Sequence, residues 1–205
     1  MLLSRMPLTL SRGDLETDVL LTEPELAWDI ETSGLEWDGG RVASCQLATR
    51  DGRVYIVRID GRKPARLCRL LADPAVKKVF HYAMFDLRFM CSAWGIVPRN
   101  IACTKIASKL LHPQDQDHSL KTLLRRYCEV ELDKGARLSD WFADPWSAEQ
   151  LRYAAEDVSH LLELYDLLCA QLREADLFGL ASRCYEHLPT KLELELGRYG
   201  DVFTY

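Results

Sequence analysis

Four acidic residues and one tyrosine stand in three short segments of this chain, in the order Asp-x-Glu, Asp and Tyr-x-x-x-Asp. They are Asp29 and Glu31, then Asp86, then Tyr153 and Asp157. Carboxylate oxygens are the ligands that magnesium prefers in proteins. Four such groups can hold two divalent ions around a phosphodiester, where the ions activate water and stabilise the leaving 3′ oxygen. The set therefore predicts metal-assisted hydrolysis, with the tyrosine hydroxyl orienting the attacking water.

Each segment also has an ordinary structural interpretation. Asp29 and Glu31 are two residues apart on a predicted strand, so both point to one face, where they could be solvated acids at a strand end. Asp86 fits the first turn of a helix, which favours acids. Tyr153 and Asp157 are neighbours on one helix face and fit the rim of a core. Taken singly these interpretations compete with function, but the combination favours a metal site.

The elements that must position these residues follow from hydrophobic periodicity and turn residues. Strands are predicted at Leu26–Glu31, Val42–Thr49, Arg53–Arg58, Lys77–Phe80 and Ile101–Cys103. Helices are predicted at Pro64–Leu71, Ala83–Ala93, Thr104–Leu111, Leu120–Cys128 and from Ala148 to about Ala175. Hairpin strands followed by strands that alternate with helices predict an α/β protein with a mixed sheet. Pro189 is predicted to interrupt the C-terminal segment, and the alternation beyond it leaves helix and strand both open.

Length and charge limit the classes of protein. The chain has 205 residues and a mass of 23.5 kDa, which suits one domain with a sizeable core. We expect a single domain over residues 1–205, with a motif-bearing core at 24–175 and a C-terminal extension at 176–205. The net charge of −5 excludes a broadly basic nucleic-acid binder, so any contact with RNA or DNA should be a local groove.

The seven cysteines are odd in number and include no C-x-x-C pair. This usage predicts free thiols in a reducing compartment. The N-terminal residues show neither a signal peptide nor a membrane span. We therefore expect a cytoplasmic protein without a membrane partner.

Three motifs, in addition, resemble those of the DEDD exonuclease superfamily, and Tyr153 is typical of its tyrosine branch. The motifs are Trp28-Asp29-Ile30-Glu31-Thr32, Phe80-His81 with Phe85-Asp86-Leu87, and Tyr153-Ala154-Ala155-Glu156-Asp157-Val158. Further segments, Cys103 to Leu111, His118 to Lys121, Leu132 to Lys134 and Ser139 to Trp141, are similar to ribonuclease D. The resemblance runs from about residue 24 to 175. The short length, without room for helicase-and-RNase-D C-terminal domains, and the tail from Cys184 to Tyr205 are more similar to the compact nano-RNase C branch.

The resemblance implies a ribonuclease-H-like fold with a five-stranded mixed sheet flanked by helices. It also implies two Mg²⁺ or Mn²⁺ ions held by Asp29, Glu31, Asp86 and Asp157, with Asp29 bridging both ions. Glu31 and Asp157 would serve the ion on the water side and Asp86 the other ion, while Tyr153 orients the water. One departure concerns Tyr82, where proofreading domains of DNA polymerases carry asparagine, and this favours the ribonuclease D side.

The function implied is a 3′→5′ exonuclease that releases nucleoside 5′-monophosphates from RNA or short oligoribonucleotides, including dinucleotides. A 3′→5′ DNA exonuclease in repair, acting on single-stranded DNA, is the alternative enzyme. A non-catalytic nucleic-acid-binding module on the same fold is the alternative outside enzymes. A homo-oligomer of two to eight copies is a further hypothesis, because the tail ends in Phe203 and Tyr205, although a tail docked on its own domain explains these residues equally well.

Contacts to substrate are predicted from single residues near the motifs. Leu35 would wedge against the terminal base, His81 would touch a phosphate or pack beside a strand end, and Trp141 would stack on a base or belong to the core. The full set of candidates for substrate binding is Thr32, Leu35, His81, Lys105 and His118, with Lys121, Lys134 and Arg137 as further cations for phosphate or a 5′ end. For each cation, an ordinary solvated side chain is the alternative.

Overall fold

A six-stranded sheet flanked by helices forms the centre of the computed structural model, which describes residues 7–132, 135 and 139–204. The strands are β1 (Leu8–Arg12), β2 (Glu25–Thr32), β3 (Val42–Thr49), β4 (Val54–Arg58), β5 (Lys77–Phe80) and β6 (Ile101–Cys103). The helices in the described ranges are α1 (Ala65–Ala72), α2 (Ala83–Trp94), α3 (Thr104–Leu111), α4 (Leu120–Cys128), α5 (Ala148–Ser159), α6 (Leu161–Glu174) and α7 (Phe178–Leu196), with a short 3₁₀ helix at Val19–Thr22.

The strands lie in the order β1-β4-β3-β2-β5-β6. Strand β3 runs antiparallel to both of its neighbours, while β1 with β4, β2 with β5, and β5 with β6 are parallel pairs. The predicted mixed sheet of a ribonuclease-H-like fold is therefore confirmed. The prediction of five strands is wrong by one strand, β1. Its residues are mostly exposed or half-buried, so they carry little local hydrophobic pattern, and the strand is defined by distant pairing with β4.

Strand β2 lies inside the sheet and carries the first two acids. Trp28 on this strand is fully buried, and its ring stacks on Phe80 of β5 with centroids 6.0 Å apart. The pairing register with β3 shifts between Glu31 and Thr32, and a bulge of this kind bends a strand and often lies beside an active site. The bulge therefore ends β2 just after the acids and starts the loop 33–41.

The loop 33–41 is closed by two hydrogen bonds. The Ser33 amide donates to the Arg41 carbonyl at 3.0 Å, and the Arg41 amide donates to Ser33 Oγ at 2.9 Å. Gly40 is required by close approach, because an added Cβ would stand only 2.5 Å from Phe89 Cε1 on α2. These contacts hold the loop against α2 and the start of β3.

Two expectations about the C-terminal helices are wrong. The predicted long helix from Ala148 is two helices, because His160 has non-helical dihedrals of φ −108° and ψ 3°. The break lets α5 pack on β2, β3 and β4 while α6 packs on α3 and α4. Pro189 does not interrupt the last segment, since α7 continues through it with Leu188 and Leu192 buried on either side.

The other predicted elements agree with the structure to within about two residues, which is the usual uncertainty of element ends. Within the described ranges, no helix combines the length and the apolarity that crossing a membrane would require. All seven cysteines are free thiols.

Candidate active site

One open cavity of about 570 Å³ collects all five residues of the three motifs. Asp29 and Glu31 come from the end of β2, Asp86 from the first turn of α2, and Tyr153 with Asp157 from α5. The cavity forms where β2 ends, because α5 packs on this strand and α2 starts directly after the neighbouring strand β5. The sheet and two helices thus bring together residues that are far apart in the sequence.

Three of the acids have the spacing of a metal site. One carboxylate oxygen from each of Asp29, Glu31 and Asp157 lies within 4.8 Å of the other two. Oxygen ligands of this kind suit hard divalent cations such as Mg²⁺. The three groups are only half-buried, so the cavity stays open to a ligand.

Asp86 adds a buried carboxylate to this group. Its side chain is only 2% exposed, and its Oδ1 has no hydrogen-bond partner among the described residues. A buried carboxylate oxygen without a partner is unfavourable unless a cation or a proton neutralises it. The donor chemistry of the cavity therefore fits divalent cations, with Asp29, Glu31, Asp86 and Asp157 as the groups that would hold them.

The electrostatics of the acids point to the same conclusion. Burial raises the pKa of Asp29 well above its ordinary value, and the charges of Asp86, Asp157 and Glu31 raise it further. Burial also raises the pKa of Asp86, and the charge of Asp157 adds to this effect. Carboxylates that repel each other in this way are unfavourable in their ionised form. A bound cation neutralises the repulsion, so the group favours cation binding.

Tyr153 lies beside Asp157 on α5 as a neutral hydrogen-bond donor. Burial is the largest cause that raises the pKa of its phenol, followed by the charges of Asp157, Glu31 and Asp29, and its hydroxyl is hydrogen-bonded to Asp157. Its ring packs against Trp141 with centroids 5.9 Å apart. The hydroxyl is therefore held at the acids and keeps its proton at neutral pH.

Tyr82 and Phe85 form an aromatic wall of the cavity, a role that the sequence does not predict. Tyr82 precedes α2 in the left-handed region, with φ 63° and ψ 45°, which is uncommon for a residue other than glycine. Its carbonyl accepts a hydrogen bond from the Phe85 amide at 2.9 Å. This tight connection between β5 and α2 sets the first helical turn, and with it Asp86. Its sequence signal is a strand and a helix separated by only two residues.

Three of the five residues predicted to contact substrate lie in the wall of the cavity. Thr32, Leu35 and His81 all line the cavity, and Leu35 is 77% exposed at its mouth. The His81 ring nitrogen Nδ1 lies 2.9 Å from Thr104 Oγ1, and burial lowers the pKa of His81 to about 3. The imidazole is therefore neutral at physiological pH and supplies no positive charge to a phosphate.

The predicted cations are more dispersed. Lys105 lies next to the cavity, with Nζ 4.1 Å from the centroid of the Tyr82 ring. His118 does not line the cavity: it is buried, with Nδ1 2.8 Å from Ser108 Oγ and Nε2 3.1 Å from the Asp115 carbonyl. Lys121 lies on α4 and does not line the cavity either. Lys134 and Arg137 lie outside the described residues.

Trp141 belongs to the core and also forms part of the cavity wall. It is only 4% exposed and packs edge-on against Trp146, with centroids 5.4 Å apart, as a core residue does. It also lines the cavity beside Tyr153. The site is thus backed by an aromatic cluster.

Two solved structures of one bacterial nuclease are similar to this chain over nearly all of both molecules. Brucella melitensis NrnC bound to pGG is 34% identical with a TM-score of 0.91, covering 98% of this chain and 99% of that chain. The same nuclease with bound Mg²⁺ is 33% identical with a TM-score of 0.91, covering 98% of this chain and 100% of that chain.

Relatives in the curated sequences are longer proteins. Mouse exosome complex component 10 is 32% identical over 184 residues, which are 89% of this chain and 20% of that protein. Ribonuclease D of Gluconacetobacter diazotrophicus is 38% identical over 139 residues, which are 67% of this chain and 35% of that protein. The chain thus spans 20% and 35% of the lengths of these two relatives.

The family model described as 3'-5' exonuclease matches residues 16–173. This range contains β2, α2 and α5, and therefore all four acids and Tyr153. The expected resemblance to ribonuclease D and to nano-RNase C is confirmed by the relatives and the structures. The chain belongs to the family of 3'-5' exonuclease domains.

Proposed function

We propose that this protein is a metal-dependent 3′→5′ exonuclease that hydrolyses RNA or short oligoribonucleotides to nucleoside 5′-monophosphates. The observation that carries the proposal is the convergence of Asp29, Glu31 and Asp157 within 4.8 Å, with Asp86 and Tyr153 in the same cavity. Family membership supports the reaction class. The NrnC structures, one with pGG and one with Mg²⁺, support an oligonucleotide substrate and a divalent cofactor.

The chain's own residues divide the work of hydrolysis. We assign two divalent ions, Mg²⁺ or Mn²⁺, to the four carboxylates; when bound, such ions neutralise the acids and stabilise negative charge that develops on phosphate oxygens. Asp29, whose pKa is raised by burial and by the charges of the other three acids, would help to hold these ions. Tyr153, held neutral beside Asp157, orients the attacking water by a hydrogen bond. Leu35 at the mouth of the cavity contacts the terminal base.

The single test is a time course resolved on a gel, with purified protein and either Mg²⁺ or Mn²⁺. The substrates are 5′-labelled RNA dinucleotide, RNA 7-mer, longer RNA and matched single-stranded DNA. We expect stepwise loss of nucleotides from the 3′ end of RNA and none in EDTA. Cleavage of DNA alone would move the function to a DNA exonuclease, and no cleavage in either metal would contradict the proposal.

Substitution of the acids links this activity to the cavity. Asp29→Ala and Asp157→Asn should each reduce hydrolysis to background without unfolding the protein. Each removes one carboxylate from the acidic triad of Asp29, Glu31 and Asp157. Glu174→Gln is the matched control, since Glu174 is an exposed acid on α6. Circular dichroism checks that the variants are folded, and undiminished turnover in either triad variant would contradict the assignment.

An assembly of several copies is a further proposal. Phe203, one of the two tail residues on which this hypothesis depends, is 65% exposed, and its neighbour Val202 is 50% exposed. Tyr205 lies outside the described residues. Exposed apolar side chains of this kind are often contacts between subunits. Light scattering of the full chain reports the number of copies. A strict monomer would remove the proposal.

A further inference from the structure

A second cavity, of about 400 Å³, lies beside the active site and is lined by positive charge. We call it the basic groove, and its cations are Arg12, Arg41, Arg58, Arg62 and Lys63. Arg12 and Arg58 end β1 and β4, and Arg41 directly precedes β3. Arg62 and Lys63 follow β4. These strand ends meet at the edge of the sheet where β2 ends. Five cations gather here in a chain whose net charge is −5.

The basic groove is continuous, through two contacts, with the active-site cavity that contains the four acids. We call this active-site cavity the acidic cavity. Ser33 lines the acidic cavity, and its backbone amide donates to the carbonyl of Arg41 at 3.0 Å. Trp141 lines both cavities. A strand with its 3′ end at the acids therefore has the basic groove as an adjacent path.

Two of the cations are available to a ligand. Arg12 and Arg58 both pair with Asp144, at 3.1 and 2.6 Å, and Arg62 pairs with Asp60. Arg41 and Lys63 are exposed, and neither has a carboxylate partner among the residues that the structure describes.

Aromatic faces hold the guanidinium groups in place. The Arg41 guanidinium lies 4.2 Å from the centroid of the Phe142 ring, and that of Arg58 lies 4.9 Å from the Trp146 ring. Arginine that is stacked in this way is ordered before a phosphate arrives, so less side-chain entropy is lost on binding.

We infer that the basic groove binds the phosphates of the nucleic-acid strand upstream of the nucleotides that occupy the acidic cavity. This inference rests on the proposed function and deepens it, because it adds oligonucleotides of several residues to the substrates that the protein holds well. Phosphate contacts by arginine and lysine are independent of base sequence. The groove therefore gives preference by length, not by sequence.

The experiment compares the double variant Arg41→Gln/Lys63→Gln with wild type on an RNA dinucleotide and an RNA 7-mer. The matched control is Arg99→Gln/Arg183→Gln, which removes two exposed cations from the loop before β6 and from α7. We expect kcat/KM for the 7-mer to fall about tenfold. The plot of log(kcat/KM) against log[salt] should become less steep by about 1.4, because two phosphate contacts on a single strand are lost. The dinucleotide should change less than twofold, and the control should match wild type on both.

Binding in EDTA gives a second readout that does not depend on hydrolysis. Anisotropy of a labelled 7-mer should show weaker binding by Arg41→Gln/Lys63→Gln than by wild type or the control variant. Equal losses on dinucleotide and 7-mer, or unchanged 7-mer binding and kinetics, would overturn the groove. If wild type cleaves no substrate, the proposed function fails, and the EDTA comparison still decides whether the groove binds nucleic acid.

Discussion

The hydroxyl of Tyr153 distinguishes this site from a simple cluster of acids. Tyr153→Phe removes the donor and keeps the ring that packs on Trp141. We expect kcat to fall about a hundredfold, which is the lower range for loss of a positioned proton donor or water-orienting group, with KM within about twofold. Metal binding, measured by calorimetry, should stay unchanged because the four acids remain.

Tyr55→Phe is the matched control for that substitution. Tyr55 lies on β4, and its hydroxyl contacts Arg53 at 3.2 Å, away from the acidic cavity. Its kinetics should equal those of wild type. A rate for Tyr153→Phe that also equals wild type would show that the hydroxyl has no part in the reaction.

The sequence predicts the site residues that belong to short motifs. It does not predict those that tertiary packing brings to the site. The acids and Tyr153 stand in three local patterns, so the sequence predicted the set that the structure brings into one cavity. From the sequence, Tyr82 is notable only because proofreading domains carry asparagine at this position. Its place in the cavity wall depends on a left-handed backbone conformation, which the sequence does not reveal. The arginines of the basic groove were not predicted, because they are scattered between positions 12 and 62 and only strand pairing assembles them.

The site depends most on helix α5, which carries Tyr153 and Asp157, and a capping box defines the start of this helix. Ser147 Oγ accepts from the Gln150 amide at 3.1 Å, and Gln150 Oε1 accepts from the Ser147 amide at 2.9 Å. Ser147→Ala removes the cap of the helix that carries Tyr153 and Asp157. We expect the free energy of unfolding to fall by about 1 kcal/mol, with kcat retained at 25 °C, as measured by urea denaturation and initial rates.

Ser147→Asp tests whether the cap is the cause. Aspartate also caps helices, and its charge is favourable at a helix N-terminus, so this variant should keep the stability of wild type. Equal destabilisation by both substitutions would mean that packing at Ser147, and not the cap, stabilises α5.

Elements with a local signal were predicted closely, and those defined by distant contacts were not. β3, β5, β6, α3 and α4 have the predicted bounds because turn residues or proline flank a periodic run. β1 was missed since its hydrogen bonds come from β4. The break at His160 was missed because α5 and α6 share one continuous apolar pattern, and the sheet and the helical layer divide it only after folding.

Asp29 and Asp86 make the stability of the metal-free protein depend on pH. The pKa values of Asp29 and Asp86 are raised in the folded protein, so the folded state binds their protons more tightly than the unfolded state does. This contribution is present below a pH of about 4, the ordinary pKa of aspartate, and is lost as pH rises through the folded pKa values. Without metal, these acids therefore destabilise the protein at neutral pH.

Asp86→Asn isolates this effect. The substitution removes a buried charge, so in EDTA the melting temperature of the variant should exceed that of wild type, by a margin that grows from pH 5 to pH 8. Saturating Mg²⁺ should stabilise wild type more than the variant at pH 8, because ions bind ionised carboxylates. Thermal unfolding by circular dichroism at both pH values, with EDTA or Mg²⁺, measures both differences.

Comparison with the variant is needed because other groups, among them His81 and Lys78, change the stability with pH in the opposite direction. The pKa of His81 is lowered to about 3 and that of Lys78 to about 8, both mainly by burial. Each therefore makes stability rise with pH, between about 3 and 6.5 for His81 and between about 8 and 10.5 for Lys78. Both groups remain in Asp86→Asn and cancel in the difference. A margin that shrinks as pH rises would contradict the assigned origin.

The placement of the acids on β2, α2 and α5 has a consequence for the synthesis of the protein. A nascent chain that has reached only the end of α4 carries Asp29, Glu31 and Asp86 but neither Tyr153 nor Asp157. The hydrolytic centre is therefore incomplete until α5 has been translated and has docked on the sheet. A chain truncated before α5 should therefore hydrolyse no RNA, because it lacks Tyr153 and Asp157.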